Sequence, residues 1–408
     1  MWLAGAAMVS VAACSRPETP EPAPEMNNDG SSYLFVWAGD ADGADADFLA
    51  VLDARGGEAT YGDIVATAPV DMKLGQPHHT EYEFPESGML FADGWLASRT
   101  FLFDLKDPKV PKVAATFDGL DGYSYPHSYA RLKNGNVLAT FQGRDGVYGT
   151  PGGLVEIDPA GNAVRSASVL APGSPEEKAW PYSLAVSPAM PRAIVSMAEM
   201  GMPPWEEFER TNKVQIWDTD KLRMVAEIAL PEEESGWRHL DPAEPRFTAN
   251  GTAFVATFSC GLYRIDGVDG DNPHAEFVFG FPGGDKFSNA CTVPVIVGHY
   301  WIQTVMEING LIVVDLSDPK APREAFRLQL DHEKYMMPHW VAADRQSNRI
   351  VVTGNDLSWV LVLNINPGTG ELTIDESFGD GGRVSFDRAD WPHGASGKAV
   401  VHGSLFGG

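Results

Sequence analysis

A chain of 408 residues has room for two average domains, although β-propellers and barrels of this size fold as one. Its 44% hydrophobic and 21% charged residues are ordinary for a globular protein. The formal charge of −26 excludes nucleic acid as a partner, because phosphate contacts need basic surface, and acidity spread over a large exterior serves solubility.

The first residues read as a targeting segment. Met1 to Ala13 is short and apolar and ends Val11-Ala12-Ala13-Cys14, small residues directly before a cysteine. That pattern is similar to a bacterial lipobox, in which the cysteine becomes the lipidated N-terminus. No Lys or Arg precedes Cys14, so the basic region of an ordinary signal is missing. The run is too short to span a bilayer. Ser15 to Ser32, rich in Pro, Glu and Asn, reads as a disordered tether. The expectation is a signal segment over 1–14, a tether over 15–32 and one folded domain over 33–408. The protein would be periplasmic, monomeric and membrane-bound only through lipid on Cys14.

From residue 33 onward one unit recurs, an apolar run ending in Asp or Asn, then a polar turn and a second apolar run. Its copies end at Asp53, Asp104, Asp158, Asp218, Asp266, Asp315 and Asn364, in steps of 51, 54, 60, 48, 49 and 49 residues. Hairpins joined by Asn-Gly turns precede the units, as at Asn134-Gly135 and Asn250-Gly251. Two hairpins per fifty residues make one four-stranded blade. Seven copies predict an all-β, seven-bladed propeller, with an insertion near Pro203 to Arg210 accounting for the longest step. The strand Ala399 to Leu405 is expected to complete the N-terminal blade and close the ring.

In a propeller the innermost strands line the central channel, so residues entering them converge on the axis. The first positions of these strands read His79, His127, Tyr182, Glu244, Cys291, His339 and His393, four histidines in a chain that has ten. A lone histidine beside a strand is ordinarily a hydrogen-bonded core residue. Four at equivalent places share a channel mouth, where a cation is the simplest common partner for their nitrogens. Imidazole donors suit borderline metals such as copper, iron and zinc over calcium or magnesium. His78 adjoins His79, and strand alternation predicts that only one of the two faces the axis. His402, in the closing strand, is expected near the rim in a supporting place. Glu244 is read as orienting a ligand's far nitrogen or pairing with Arg246, and Tyr182 and Cys291 as relays or channel packing. His239, His274, His299 and His332 are read as surface residues.

Apart from Cys14, the cysteines are Cys260 and Cys291. They pair in an oxidising compartment or lie unpaired as small buried hydrophobes, and unpaired is the preferred reading. Nucleophile-elbow, phosphate-loop and Cys-x-x-Cys signatures are absent from the sequence.

Several stretches carry a wider resemblance: Pro77-His78-His79-Thr80-Glu81-Tyr82, Tyr125-Pro126-His127-Ser128, Asn134 to Gln142, Pro151-Gly152-Gly153-Leu154-Val155-Glu156, Pro242-Ala243-Glu244-Pro245-Arg246, Cys260 to Arg264 and Trp391-Pro392-His393-Gly394. Together, from about Gln76 to the C-terminus, they resemble the bacterial branch of the selenium-binding protein family, which includes the methanethiol oxidases. The resemblance implies a seven-bladed propeller with histidine-bound copper that turns methanethiol and O₂ into formaldehyde, hydrogen sulfide and hydrogen peroxide. His79, His127, His339 and His393 are the implied metal ligands, with His78 a fifth. The cysteine-bearing selenium segment of the animal members has no counterpart here, and the substrate is expected to be methanethiol or another small thiol. A pocket lined by Trp340, Tyr82 or Phe84 beside the metal would suit catalysis, whereas a closed ring would suit metal storage or delivery.

Overall fold

The computed structural model describes residues 30–171, 173, 174, 176, 178–201, 209–270, 272–284 and 290–408. Cys14, its lipobox and nearly all of the tether lie outside the described residues, as does most of the insertion near Pro203. The chain is built of seven antiparallel sheets, each with four or five strands. Among the described residues the only helical element is a 3₁₀ turn, Met306–Ile308.

Local chemistry explains the hairpins. Between Tyr123–Arg131 and Val137–Arg144, Gly135 adopts φ +86°, a conformation that asks for glycine, and its N–H bonds to Leu132 O at 3.0 Å. Gly251 repeats the device with the same φ of +86° between Pro242–Phe247 and Ala253–Thr257. Each sheet then buries both faces of its middle strands against its neighbours. One core layer joins Val36, Phe48 and Val401 of the last blade to Val351 and Val362 of the blade before it.

Ring closure follows the expected route. The C-terminal strand Gly397–Gly407 pairs antiparallel with Tyr33–Asp40, placing Tyr33 opposite Gly407 and Asp40 opposite Ala399. A buried ion pair reinforces the joint: Asp344 accepts from Ser31 N at 3.0 Å and Ser31 Oγ at 2.7 Å, while Arg349 Nη2 donates to Ser31 O at 2.9 Å. The innermost strand of this composite blade is therefore C-terminal, with consequences for the site.

The preferred reading of the cysteines is corrected. Cys260 and Cys291 form a disulfide, with Cα atoms 5.1 Å apart, in an apolar layer with Phe281 and Ala290. Cys291 forms an isolated bridge with Val305 just before its inner strand, so the channel brings it beside the Ser259–Cys260 corner of the preceding blade. Sequence spacing carried no sign of that neighbourhood.

Candidate metal centre

A repeated irregularity shapes the channel mouth. In the inner strand Pro77–Thr80, Pro77 pairs with Gly94 and Thr80 with Ala92, so His78 and His79 together stand opposite Asp93 alone. The same two-against-one bulge sets His127 and Ser128 against Thr140, and Tyr182 and Ser183 against Ser196. Register shifts also follow Pro242 and Pro338, and His402 and Gly403 face Trp37 alone. A bulge breaks strand alternation and re-aims side chains. His78 and His79 accordingly stack on each other with centroids 4.6 Å apart, and both contact His127 and His402, which corrects the expectation that only one would face inward.

Side-chain groups on the second strands hold these bulges. Ser128 N–H donates to Thr140 Oγ1 at 3.0 Å and Ser183 N–H to Ser196 Oγ at 3.1 Å, while His79 N–H uses Asp93 Oδ1 at 2.8 Å. The hydroxyls donate onward to the next blade: Thr140 to Tyr182 O, Ser196 to Ala243 O, Thr304 to His339 O and Thr353 to His402 O. Each such bond is worth about 1 kcal/mol. Collectively they fix neighbouring inner strands, and so the imidazoles, relative to one another.

Five histidines gather at this mouth. His78, His79 and His127 each offer a nitrogen within 4.8 Å of the others, and all three are buried. His402 adjoins them with its ring 4.1 Å from His78 and 6.0 Å from His79, and His339 lies 4.5 Å from His402. His402 thus stands in the cluster rather than at its rim, another correction. His393 does not reach it: its Nδ1 lies 2.8 Å from Thr67 Oγ1 on the outermost strand of the closing blade, and its ring packs on Phe48. The Pro-His pair of residues 392 and 393 precedes the true inner strand, where Val401 takes the place held by proline elsewhere.

Two of the far nitrogens are tied. His127 Nδ1 donates to Tyr182 O at 2.8 Å, and His79 Nδ1 lies 2.9 Å from Ser128 Oγ. His402 Nδ1 is 3.5 Å from Asp356 Oδ1, close but not aligned as a hydrogen bond. By contrast Nε2 of His79, His339 and His402 is buried without a partner. Burial, followed by the neighbouring imidazoles, pushes His78, His79 and His339 well below the usual histidine value. Burial also takes His127 down to about 3. Neutral rings with orphaned, convergent nitrogens fit a borderline metal ion, which would satisfy atoms otherwise costly to bury.

The remaining candidates fall around this centre. Tyr182 packs 4.0 Å from His127 and supplies the carbonyl that fixes it, while burial pushes its own phenol well up. Glu244 Oε2 accepts from both Arg246 Nη1 and Tyr82 OH, so the ion pair with Arg246 forms and no hydrogen bond of Glu244 reaches a histidine directly. Cys291, held in the disulfide, offers no thiol relay. Trp340 and Tyr82 stack beside His79, but Phe84 packs on Phe35 in a separate core layer. Of the histidines read as surface groups, His274 and His299 are exposed, with Asp266 and Asp315 oxygens 3.7 and 3.8 Å from their Nε2 atoms, whereas His239 is half-buried. Ser128 and Asp356 are neighbours of the cluster that single residues in the sequence did not reveal, whereas the Arg246 pairing with Glu244 was read from it.

Fold and site together define a seven-bladed propeller with a histidine-lined axial centre able to hold a metal. No family model matches the chain. A stretch of 141 residues is 27% identical to a methanethiol oxidase of Ruegeria pomeroyi, and spans 33% of this chain and 32% of that protein. The structure of a hypothetical selenium-binding protein from Sulfolobus tokodaii superimposes with a TM-score of 0.73 at 19% identity, covering 92% of this chain and 94% of that one. A periplasmic gluconolactonase of Pseudomonas aeruginosa shares the fold at a TM-score of 0.61 and 14% identity, over 91% and 96% of the two chains. The chain is thus similar to the selenium-binding protein and methanethiol oxidase family, and the resemblance read from its motifs holds.

Proposed function

We propose that this protein is an exported, copper-dependent oxidoreductase that oxidises methanethiol or another small thiol with O₂. For methanethiol the balanced reaction consumes one O₂ and one water and yields formaldehyde, hydrogen sulfide and hydrogen peroxide. The observation that carries the reading is the gathering of five buried imidazoles, three of them with nitrogens within 4.8 Å of one another and four of them with an unpartnered nitrogen, supported by the partial likeness to a methanethiol oxidase. His79, His127 and His402 are the principal ligands, with His78 and His339 adjoining. A bound copper ion would supply Lewis acidity and one-electron chemistry. The protein's part is to hold the rings neutral, orient them through Ser128 and the Tyr182 carbonyl, and exclude water with Trp340 and Tyr82. The disulfide supports an oxidising compartment, and Cys14 would anchor the chain by lipid.

A second reading, a non-catalytic periplasmic copper store or carrier, is favoured by near-complete closure, since no ring of the five is more than 6% exposed. An oxygen electrode separates the two. Copper-loaded protein supplied with methanethiol should consume O₂ and release hydrogen peroxide. Bound copper without O₂ uptake would leave the store, and absence of bound metal would remove both.

A further inference from the structure

Ser128, Ser183 and Glu244, each following an inner-strand proline by two residues, build a polar layer behind the imidazoles. Glu244 is fully buried, and its Oε2 accepts from Tyr82 OH at 2.9 Å, Ser183 Oγ at 2.8 Å and Arg246 Nη1 at 2.8 Å. The Tyr82 ring is clamped, with Trp340 stacked on it at 5.0 Å and the Arg246 guanidinium 4.1 Å from its centroid. Tyr82 therefore directs its only hydroxyl proton to Glu244. Towards every other neighbour its oxygen can only accept.

That constraint reaches His79. Its Nδ1 lies 2.9 Å from Ser128 Oγ and 3.4 Å from Tyr82 OH. Were Ser128 to donate to Nδ1, the ring proton would sit on Nε2, where it finds no acceptor. In the other arrangement Nδ1–H donates toward the oxygens of Ser128 and Tyr82, and Nε2 is bare. Only this second arrangement leaves no buried N–H unpaired. We propose that Glu244, acting through the Tyr82 hydroxyl, is a positioning residue that sets His79 as the Nδ1–H tautomer and turns the Nε2 lone pair toward the metal. The role serves the metal reading of the cluster, but the tautomer is a property of the metal-free chain and is testable without it.

The experiment uses the full metal-free chain labelled with ¹⁵N-histidine, with His79 assigned by comparison with His79→Ala. Long-range proton–nitrogen spectra should show a protonated Nδ1 and a bare Nε2. Tyr82→Phe keeps the stack and removes the hydroxyl. It should shift His79 toward the Nε2–H form and weaken Cu(I) binding about 10-fold, as loss of a supporting partner does, with no more than a small drop in melting midpoint for the lost Tyr82–Glu244 hydrogen bond. Glu244→Gln should shift the tautomer in the same direction. Because that change also opens a buried ion pair, Tyr82→Phe carries the test if Glu244→Gln does not fold. Ser128→Ala should leave the tautomer unchanged. An Nε2–H ring in the unaltered protein, or an unmoved tautomer in Tyr82→Phe, overturns the proposal. Failure of the unaltered protein to bind Cu(I) would instead strike the metal reading and leave the tautomer result standing.

Discussion

Nε2 of His78 lies 3.2 Å from Nε2 of His127. The Tyr182 carbonyl, 2.8 Å from His127 Nδ1, can only accept, so His127 carries its proton on Nδ1 and is bare at Nε2. His78 must then donate from Nε2, which ties one candidate ligand to another in the metal-free chain. An arriving ion has to replace that hydrogen bond and send the His78 proton to Nδ1, which has no partner. His78→Ala therefore removes a competitor for His127 as well as a ligand, whereas His127→Ala removes a ring already prepared for binding. Competition titration with Cu(I) should show a loss at least about 10-fold larger for His127→Ala than for His78→Ala. The opposite order would make His78 the primary ligand.

His402 and His393 give a direct comparison, since one lies in the C-terminal strand and the other just before it, and only His402 meets the cluster. His402→Ala is expected to lower bound copper by at least about 10-fold in affinity. His393→Ala should leave copper unchanged, because Thr67 and Phe48 hold that ring on the outer edge of the blade. Elemental analysis of both variants beside the unaltered protein decides it. Loss of metal in His393→Ala would contradict the geometry.

These two residues also show how far sequence reasoning reached. The seven-unit repeat and ring closure were legible because each blade repeats the same apolar strand and turn chemistry within about fifty residues. Placement of His79, His127 and His339 at the axis was legible for the same reason, since each follows an inner-strand proline by one or two residues. His402 was not, because Val401 replaces that proline and the long C-terminal strand begins before it reaches the channel. The inward turn of both His78 and His79 depends on a bulge, and a bulge is a register property of two strands that neither displays alone. The disulfide depends likewise on which blade corners meet.

Asp93 takes the place in its blade that Thr140 and Ser196 hold in theirs, accepting the His79 N–H through Oδ1 while Oδ2 has no recorded partner. Burial, against little compensation from hydrogen bonds, pushes its carboxyl well above the ordinary 3.8. Folding therefore takes up a proton at this site. The stabilising contribution is complete below pH 3.8 and is lost as pH rises through the folded-state value. Asp93→Asn keeps the acceptor and cannot ionise. Its stability relative to the parent should climb with pH from about 4 upward, by about 1.4 kcal/mol per unit within the window, read by denaturant unfolding at several pH values. A difference that stays flat with pH would show that the Asp93 carboxyl is not shifted.

Gly403 sits beside His402 where the last blade meets the first. A Cβ built there would lie 2.8 Å from His78 O and 2.9 Å from Thr80 N, both backbone atoms of the first inner strand that cannot swing aside. The requirement is close approach rather than an unusual backbone angle, and any side chain must push the two strands apart. Because His402 and His78 touch across this seam, with rings 4.1 Å apart, separation of the strands also spreads the candidate ligands. Gly403→Ala is expected to cost about 1–3 kcal/mol in unfolding free energy, typical of overpacking. It should weaken Cu(I) binding although every histidine remains. Gly56→Ala is the control, since a Cβ there meets nothing within 4 Å, and it should leave copper affinity unchanged. If Gly403→Ala bound copper as the parent does, the distance between the first and last inner strands would not set the geometry of the site.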